Sequence, residues 1–166
     1  MSRKRGGYPM EVQILPIKRE EAPILHNLMQ FYIYEFSEYL QDIKLEKDGR
    51  FEPFKLDGYW IEPHLKPLFI KVDKQLAGFV LLEATSDSSP NAVNEFFVLK
   101  PFTRKGVGRK AAFEVFKRWH GNWVVAQLKE NKPAQAFWKK VIHEYTNGHF
   151  EELEDHEKRT IQSFTL

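Results

Sequence analysis

The chain has 166 residues, a net charge of +2 and no cysteine. This length permits one domain with a sizeable core, and its apolar and charged fractions, 42% and 29%, are those of a globular protein. The lack of cysteine excludes a disulfide scaffold and a cysteine nucleophile. The small net charge argues against nucleic acid as a partner, and no apolar run nears the roughly 18 residues of a membrane span. We therefore predict a cytoplasmic protein without a membrane segment.

The hydrophobic pattern predicts a short tail and one folded unit. Residues 1–9 are basic and lack periodicity, so we expect a flexible tail followed by a domain over 10–166. The predicted elements, in chain order, are a strand at 11–17, a helix at 20–41, a less regular helical segment to Trp60, a hairpin of strands at 68–72 and 76–84, a strand at 93–99, a helix at 106–119, a strand at 123–128, a helix at 133–142 and one or two strands that include 159–166. The charged stretch 151–159 is predicted to be a solvated loop. This order predicts a single α/β domain, a mixed sheet with helices on its faces.

A basic loop with two glycines joins the strand at 93–99 to the next helix. Gly106 and Gly108 stand where that helix begins, and the unpaired N–H groups of a first helical turn bind anions. Four cations accompany the glycines, and these are Arg104, Lys105, Arg109 and Lys110. The loop is typical of a pyrophosphate cradle, but a plain strand–helix connection with solvated basic residues explains it equally well.

A dinucleotide-binding motif is a competing interpretation of the same loop. Gly106, Gly108 and Ala111 fit a GxGxxA pattern, and Glu130 follows about 20 residues later. Only 36 residues remain after Glu130, which is too little chain to complete a dinucleotide-binding fold. The spacing of a P-loop is absent.

A second stretch, "NKPAQAFWKKV" at 131–141, follows the apolar strand at 123–128. Together with the basic loop, it resembles the GNAT N-acetyltransferase superfamily. In that family a strand ending in valine leads to a loop with the signature Arg/Gln-x-x-Gly-x-Gly/Ala, and a later helix begins Asn-x-x-Ala-x-x-Phe-Tyr. Here Val98 stands eight residues before Gly106, as in the family pattern, and the second motif is matched by Asn131, Ala134, Phe137 and Trp138.

Three positions depart from the family pattern. Thr103 stands at the signature Arg/Gln position, with Arg104 one place later, and Pro101 lies one residue further along than usual. Trp138 replaces the tyrosine that often protonates the leaving thiolate. An indole N–H donates a hydrogen bond but does not release its proton at useful pH.

The resemblance implies a mostly antiparallel central sheet with helices on both faces. It also implies direct transfer of an acetyl group from acetyl-CoA, as cosubstrate, to a primary amine of a small molecule or peptide. The pantetheine arm would pair with backbone at 97–99, and the pyrophosphate would lie on 104–109. The residues so assigned to cofactor binding are Phe97, Val98, Leu99, Arg104, Lys105, Gly106, Val107, Gly108, Arg109, Asn131, Ala134, Phe137 and Trp138.

The catalytic groups are less well defined. The resemblance places Glu95 on the strand before Val98, where several family members carry a base, although Glu95 could equally be a solvent-facing strand carboxylate. Tyr145 is a candidate acid, with structural packing as the alternative. A backbone N–H near Val98 or Leu99 would stabilise the oxyanion.

Other classes of function stay open at this point. A non-catalytic acyl-CoA-binding or sensing domain is the main alternative, because Thr103 and Trp138 depart from the family pattern. The histidines are too scattered for a metal site, so we predict none. The acceptor amine and the oligomeric state are undetermined, with a homodimer as one option.

Overall fold

The computed structural model describes residues 9–85 and 88–166 of the chain. All but the last residue of the predicted tail at 1–9 therefore lie outside the described residues. The strands are β1 (Val12–Pro16), β2 (Leu65–Val72), β3 (Gln75–Glu83), β4 (Asn91–Val98), β5 (Asn122–Leu128), β6 (Glu151–Glu154) and β7 (Arg159–Thr165). The helices are α1 (Ala22–Phe36), α2 (Val107–Arg118) and α3 (Lys132–Thr146).

The seven strands form one sheet in the order β1-β2-β3-β4-β5-β7-β6. Neighbouring strands are antiparallel except β4 and β5, which run parallel. The predicted mixed, mostly antiparallel sheet is therefore confirmed. The α2 crossover connects the parallel pair, as parallel neighbours require.

Two hydrophobic clusters cover the two faces of the sheet. On one face α1 packs through Leu25, Met29 and Tyr32 against side chains that include Phe79 and Phe97. On the other face α2 and α3 pack against a larger cluster, whose buried members include Val80, Val115, Phe116, Trp123 and Trp138. Helices therefore lie on both faces, as expected, and β4 contributes side chains to both clusters.

Two of the predicted helical segments are wrong in extent. The helix expected over 20–41 ends at Phe36, where the Ser37 hydroxyl donates to the Tyr34 carbonyl at 2.6 Å and competes with helical bonding. The less regular helical segment predicted to follow it, as far as Trp60, does not form an α-helix in the described residues 37–60. A turn at Gly49, whose φ is +79°, and a bridge between Leu45 and Phe51 replace it, followed by a 3₁₀ turn at Asp57–Trp60.

The C-terminal part also differs from expectation. Part of the predicted loop at 151–159 is the edge strand β6, which pairs with β7 from Glu151 to Glu154. All four of its residues are exposed. Their glutamates keep the outer edge of the sheet charged, which discourages pairing with another chain.

Candidate functional site

A β-bulge in β4 opens a gap in the middle of the sheet. Leu81 pairs with Glu95 while Leu82 pairs with Val93, so Asn94 is the extra residue. In the described part of the chain, β4 pairs with β5 only from Asn91 to Val93. Beyond the bulge β4 stays with β3 and separates from β5. We call the space between Glu95–Val98 and the end of β5 the gap.

The bulge also reverses which side of the sheet the β4 side chains face. Val93 and Phe96 pack against the α2/α3 cluster, and Phe97 lies in the α1 cluster. In a regular strand residues two apart share a face, so Glu95 would lie beside Val93. The inserted Asn94 instead turns Glu95 toward α1.

Of the three residues 97–99 expected to pair with the cofactor, Val98 is the one that turns its backbone to the gap. The Leu99 N–H donates to the Ala77 carbonyl at 2.8 Å, and the Leu99 carbonyl accepts from Phe102 at 2.9 Å. Backbone groups alternate in direction along an antiparallel pair, so Phe97 also points to β3 while Val98 points away from it. The Leu99 N–H is thus already engaged within the fold, while the assignment of Phe97 and Leu99 to cofactor binding stays a prediction.

The loop after β4 has the backbone shape of an anion site. Arg104 and Gly106 have φ values of +58° and +78°, and Gly106 directly precedes α2. The N–H groups of Val107, Gly108 and Arg109 in the first turn have no acceptor within the helix. Gly108 also has a packing role, because a Cβ there would lie 3.0 Å from the Phe137 ring.

The four cations of this loop do not all face one site. The Arg109 guanidinium pairs with Glu144 of α3, with Nε 2.8 Å from Oε2, and lies 4.4 Å from the centre of the Phe113 ring. The Lys110 amine reaches the Met10 carbonyl at 3.3 Å. Arg104 and Lys105 stay on the exposed loop, where the Lys105 amine donates to the Pro101 carbonyl at 2.7 Å. Of the four cations, Arg109 is therefore the one whose charge is paired with a carboxylate.

The second family motif serves mainly to start and pack α3. The Asn131 side-chain oxygen accepts the Ala134 N–H at 3.1 Å, which makes Asn131 the N-cap of the helix. Phe137 and Trp138 each lie against Phe96 of β4, with ring centres 5.6 and 5.0 Å apart. Trp138 is 6% exposed. It therefore packs within the α2/α3 cluster, against the Phe96 side of β4.

Glu95 is partly buried and hydrogen-bonded on the opposite side of β4. The Tyr32 hydroxyl of α1 donates to Glu95 Oε2. Burial raises the pKa of Glu95 to about 7, and the Tyr32 hydrogen bond acts against that rise. Burial and then the charge of Glu95 raise the pKa of Tyr32 well above its usual value. At neutral pH, Glu95 can thus gain or lose a proton while Tyr32 keeps its own.

A second tyrosine lies near the bulge. The Tyr59 hydroxyl accepts a hydrogen bond from the Asn94 amide at 3.1 Å. Burial raises the pKa of Tyr59, the Asn94 hydrogen bond lowers it, and the Glu95 carboxylate raises it again. Sequence reasoning missed both tyrosines. Tyr32 carried the one available signal, because a hydroxyl within a buried apolar stripe needs a hydrogen-bond partner.

The fold does not place Tyr145, the candidate acid, near Glu95. Its ring packs on Phe113 and Phe116, with centres 4.8 and 5.3 Å apart, within the α2/α3 cluster. Glu95 faces the α1 cluster on the other side of the sheet. The packing role is therefore the one that the geometry of Tyr145 supports.

Comparison with known proteins identifies the family. The model of the Acetyltransferase (GNAT) family matches residues 25–143, which is most of the chain. The chain therefore belongs to the GNAT acetyltransferase family, which confirms the resemblance. No protein of curated function matches the sequence.

Solved structures share the fold at low sequence identity. An acetyltransferase from Thermus thermophilus matches 93% of this chain and 97% of its own, with a TM-score of 0.65 and 14% identity. PaiA N-acetyltransferase from Thermoplasma acidophilum, in complex with coenzyme A, matches 94% and 99%, with a TM-score of 0.62 and 11% identity. The ribosomal-protein-S18-alanine N-acetyltransferase from Escherichia coli matches 93% and 94%, with a TM-score of 0.59 and 12% identity.

Within 9–85 and 88–166, no three His, Asp or Glu side chains are placed to hold a metal ion together. None of the helices in those ranges is long and apolar enough to cross a bilayer.

Replacing Glu95 by glutamine should reveal the cost of burying this carboxyl. The pKa of Glu95 is about 7 when folded against an ordinary 4.5, so the unfolded chain loses its proton first as pH rises. Between those two pH values, the free energy of unfolding of the wild type should fall relative to Glu95→Gln, by at most about 3 kcal/mol. The difference should stay constant above pH 7. Urea unfolding over a pH series measures it, and parallel profiles would show that the buried carboxyl carries no such cost.

Proposed function

We propose that the protein is an acetyl-CoA-dependent N-acetyltransferase in which Glu95 accepts the proton of the attacking primary amine. The observation that carries this is the placement of Glu95, partly buried beside the bulge and with a pKa near 7. A general base is most effective when its pKa lies near the working pH. The acceptor is a small molecule or a peptide amine.

The gap and the loop after it supply the elements of an acetyl-CoA site. The Val98 backbone turned toward the gap can pair with an extended chain, as a strand would. The first turn of α2 offers Val107 and Gly108 N–H groups to a pyrophosphate, with Arg104 and Lys105 nearby. Along the chain, the Val98 backbone at the gap comes first and the first turn of α2 follows. Acetyl-CoA has the same order, with the thioester and pantetheine arm first and the phosphates after them.

The proposed step is direct attack. The amine nitrogen bonds to the thioester carbonyl carbon, the carbon–sulfur bond breaks, and the CoA thiolate leaves. The Val98 N–H is the donor we assign to the developing oxyanion, since the Leu99 N–H already binds Ala77. Glu95 lies three residues from Val98, about 10 Å along the strand. We therefore propose that it takes the amine proton directly or through a water.

The proton for the leaving thiolate is proposed to come from solvent. Trp138 stands at the position of the usual tyrosine and cannot supply a proton, and Tyr145 packs on the other side of the sheet from Glu95. A thiol with a pKa of about 8.5 leaves readily without a dedicated acid.

Glu95→Gln tests the base. We expect kcat to fall by about 10²-fold at neutral pH, with partial recovery at high pH where the free amine is abundant. Release of the CoA thiol with a panel of primary amines measures turnover. Glu83→Gln, on the neighbouring strand β3, is the matched control and should keep wild-type turnover.

Two outcomes would contradict this account. Wild-type turnover in Glu95→Gln would remove the residue from the mechanism. Tight acetyl-CoA binding without turnover of any amine would favour the alternative of a sensing domain, which is motivated by Trp138 at the tyrosine position.

Charge reversal on the loop tests the cradle. The double change Arg104→Glu and Lys105→Glu should weaken CoA binding by about tenfold or more, because anionic side chains would face the phosphates. Both residues are exposed, so the fold should persist. Lys47→Glu alters an exposed lysine away from this loop and should leave the affinity unchanged. Calorimetric titration with CoA measures each Kd, and equal affinities in all three proteins would place the phosphates elsewhere.

Trp138→Phe tests the assignment of the proton to solvent. Phenylalanine keeps an aromatic ring against Phe96 and Phe137 while it removes the indole N–H. We expect kcat to change little, and Trp138→Tyr to be nearly neutral as well, because solvent already serves as the acid. Steady-state kinetics with both variants check this. Loss of turnover in Trp138→Phe, with CoA affinity intact, would show that the indole N–H takes part in catalysis.

A further inference from the structure

Tyr32 is a polar side chain at the centre of an apolar helix face. It is 6% exposed, and its ring lies 4.7 to 6.3 Å from four phenylalanines, which are Phe36, Phe79, Phe97 and Phe54. Its hydroxyl reaches 63 residues along the chain to the Glu95 carboxylate. A phenylalanine would satisfy the packing equally well, so the hydroxyl needs a separate explanation.

We propose that Tyr32 is a positioning residue for Glu95, fixing the carboxylate beside the gap and stabilising its charged form for proton acceptance. This inference rests on the proposed role of Glu95 as the base. It assigns to α1, which is otherwise a packing helix, a direct part in setting the pH range of the enzyme.

The chemistry of the pair supports a one-way hydrogen bond. The raised pKa of Tyr32 keeps its hydroxyl protonated at any ordinary working pH, so Tyr32 donates and Glu95 accepts. A hydrogen bond to the charged form of a carboxyl favours that form. It therefore opposes the burial that raises the pKa of Glu95. Without the hydroxyl, burial would act unopposed, and Glu95 would be mostly protonated at neutral pH.

The other polar groups nearby do not substitute for this donor. Tyr59 accepts from Asn94 instead of binding Glu95, and as a phenol whose pKa is raised by burial it carries no charge at neutral pH. The charge of Glu83 on β3 raises the pKa of Tyr59 and is not among the causes that shift the pKa of Glu95. The Tyr32 hydroxyl is the one group, among the described residues, that shifts the pKa of Glu95 other than by burial.

Charges on the neighbouring part of α1 are also paired elsewhere. Glu35, three residues beyond Tyr32, forms a salt bridge with Lys100 at 3.0 Å. Both side chains are partly or fully exposed, so solvent screens their effect on Glu95.

The test combines a direct titration with kinetics on the full-length protein. Glu95 is followed by carbon-13 NMR of glutamate side chains over a pH series, with its signal assigned from Glu95→Gln. Tyr32→Phe, which keeps the ring contacts, should raise the Glu95 midpoint by about one pH unit, the scale expected for one hydrogen bond to a charged group. Tyr59→Phe removes a hydroxyl that does not bind Glu95 and should leave the midpoint unchanged.

The kinetic profile should move with the titration. In Tyr32→Phe the rising limb of kcat/KM should shift to higher pH by the same amount, with the KM for acetyl-CoA unchanged and turnover regained at high pH. If Glu95→Gln is inactive but Tyr32→Phe titrates and turns over like the wild type, the positioning role alone is wrong. If Glu95→Gln turns over normally, the base itself is misassigned and the positioning role fails with it.

Discussion

The separation of β4 from β5 after Val93 is the constraint on which the rest of the site depends. A break in the middle of a sheet leaves backbone N–H and C=O groups without strand partners, and such groups are costly unless something else binds them. The bulge at Asn94 produces the break while β3 keeps its pairing with β4. The unpaired groups are thereby concentrated on one side of one strand, where an extended ligand can take the place of the missing strand.

The same bulge directs side chains of β4 to both faces of the sheet. It turns Glu95 toward α1, so the carboxylate accepts from the Tyr32 hydroxyl, while the neighbouring Asn94 amide donates to Tyr59. It leaves Phe96 on the other face, where Phe137 and Trp138 pack against its ring. Proton acceptance and cofactor binding can thus occupy opposite sides of a single strand. Burial of Glu95 destabilises the fold at neutral pH, and this cost accompanies a carboxyl that titrates where a base is useful.

The fold and the loop could be predicted because their signals are local. Glycines at the start of α2, proline in the first turn of α3 and the apolar periodicity of α1 each follow from the chemistry of nearby residues. The bulge could not be predicted, since "VNEFFVL" looks like a regular strand and Asn94 is inserted only relative to β3. Contacts between distant parts of the chain could not be predicted either. These include the pairing of Arg109 with Glu144, 35 residues away, and the direction of Phe97 and Leu99 toward β3.

Hydrogen exchange at Val98 tests the central claim, that the β4 backbone facing the gap binds acetyl-CoA. NMR-detected exchange of individual amides, with and without saturating acetyl-CoA, reports on each N–H separately. We predict that acetyl-CoA slows exchange at Val98, whereas exchange at Leu99, whose N–H already bonds to Ala77, changes little. Unchanged exchange at Val98 in the presence of bound acetyl-CoA would contradict it.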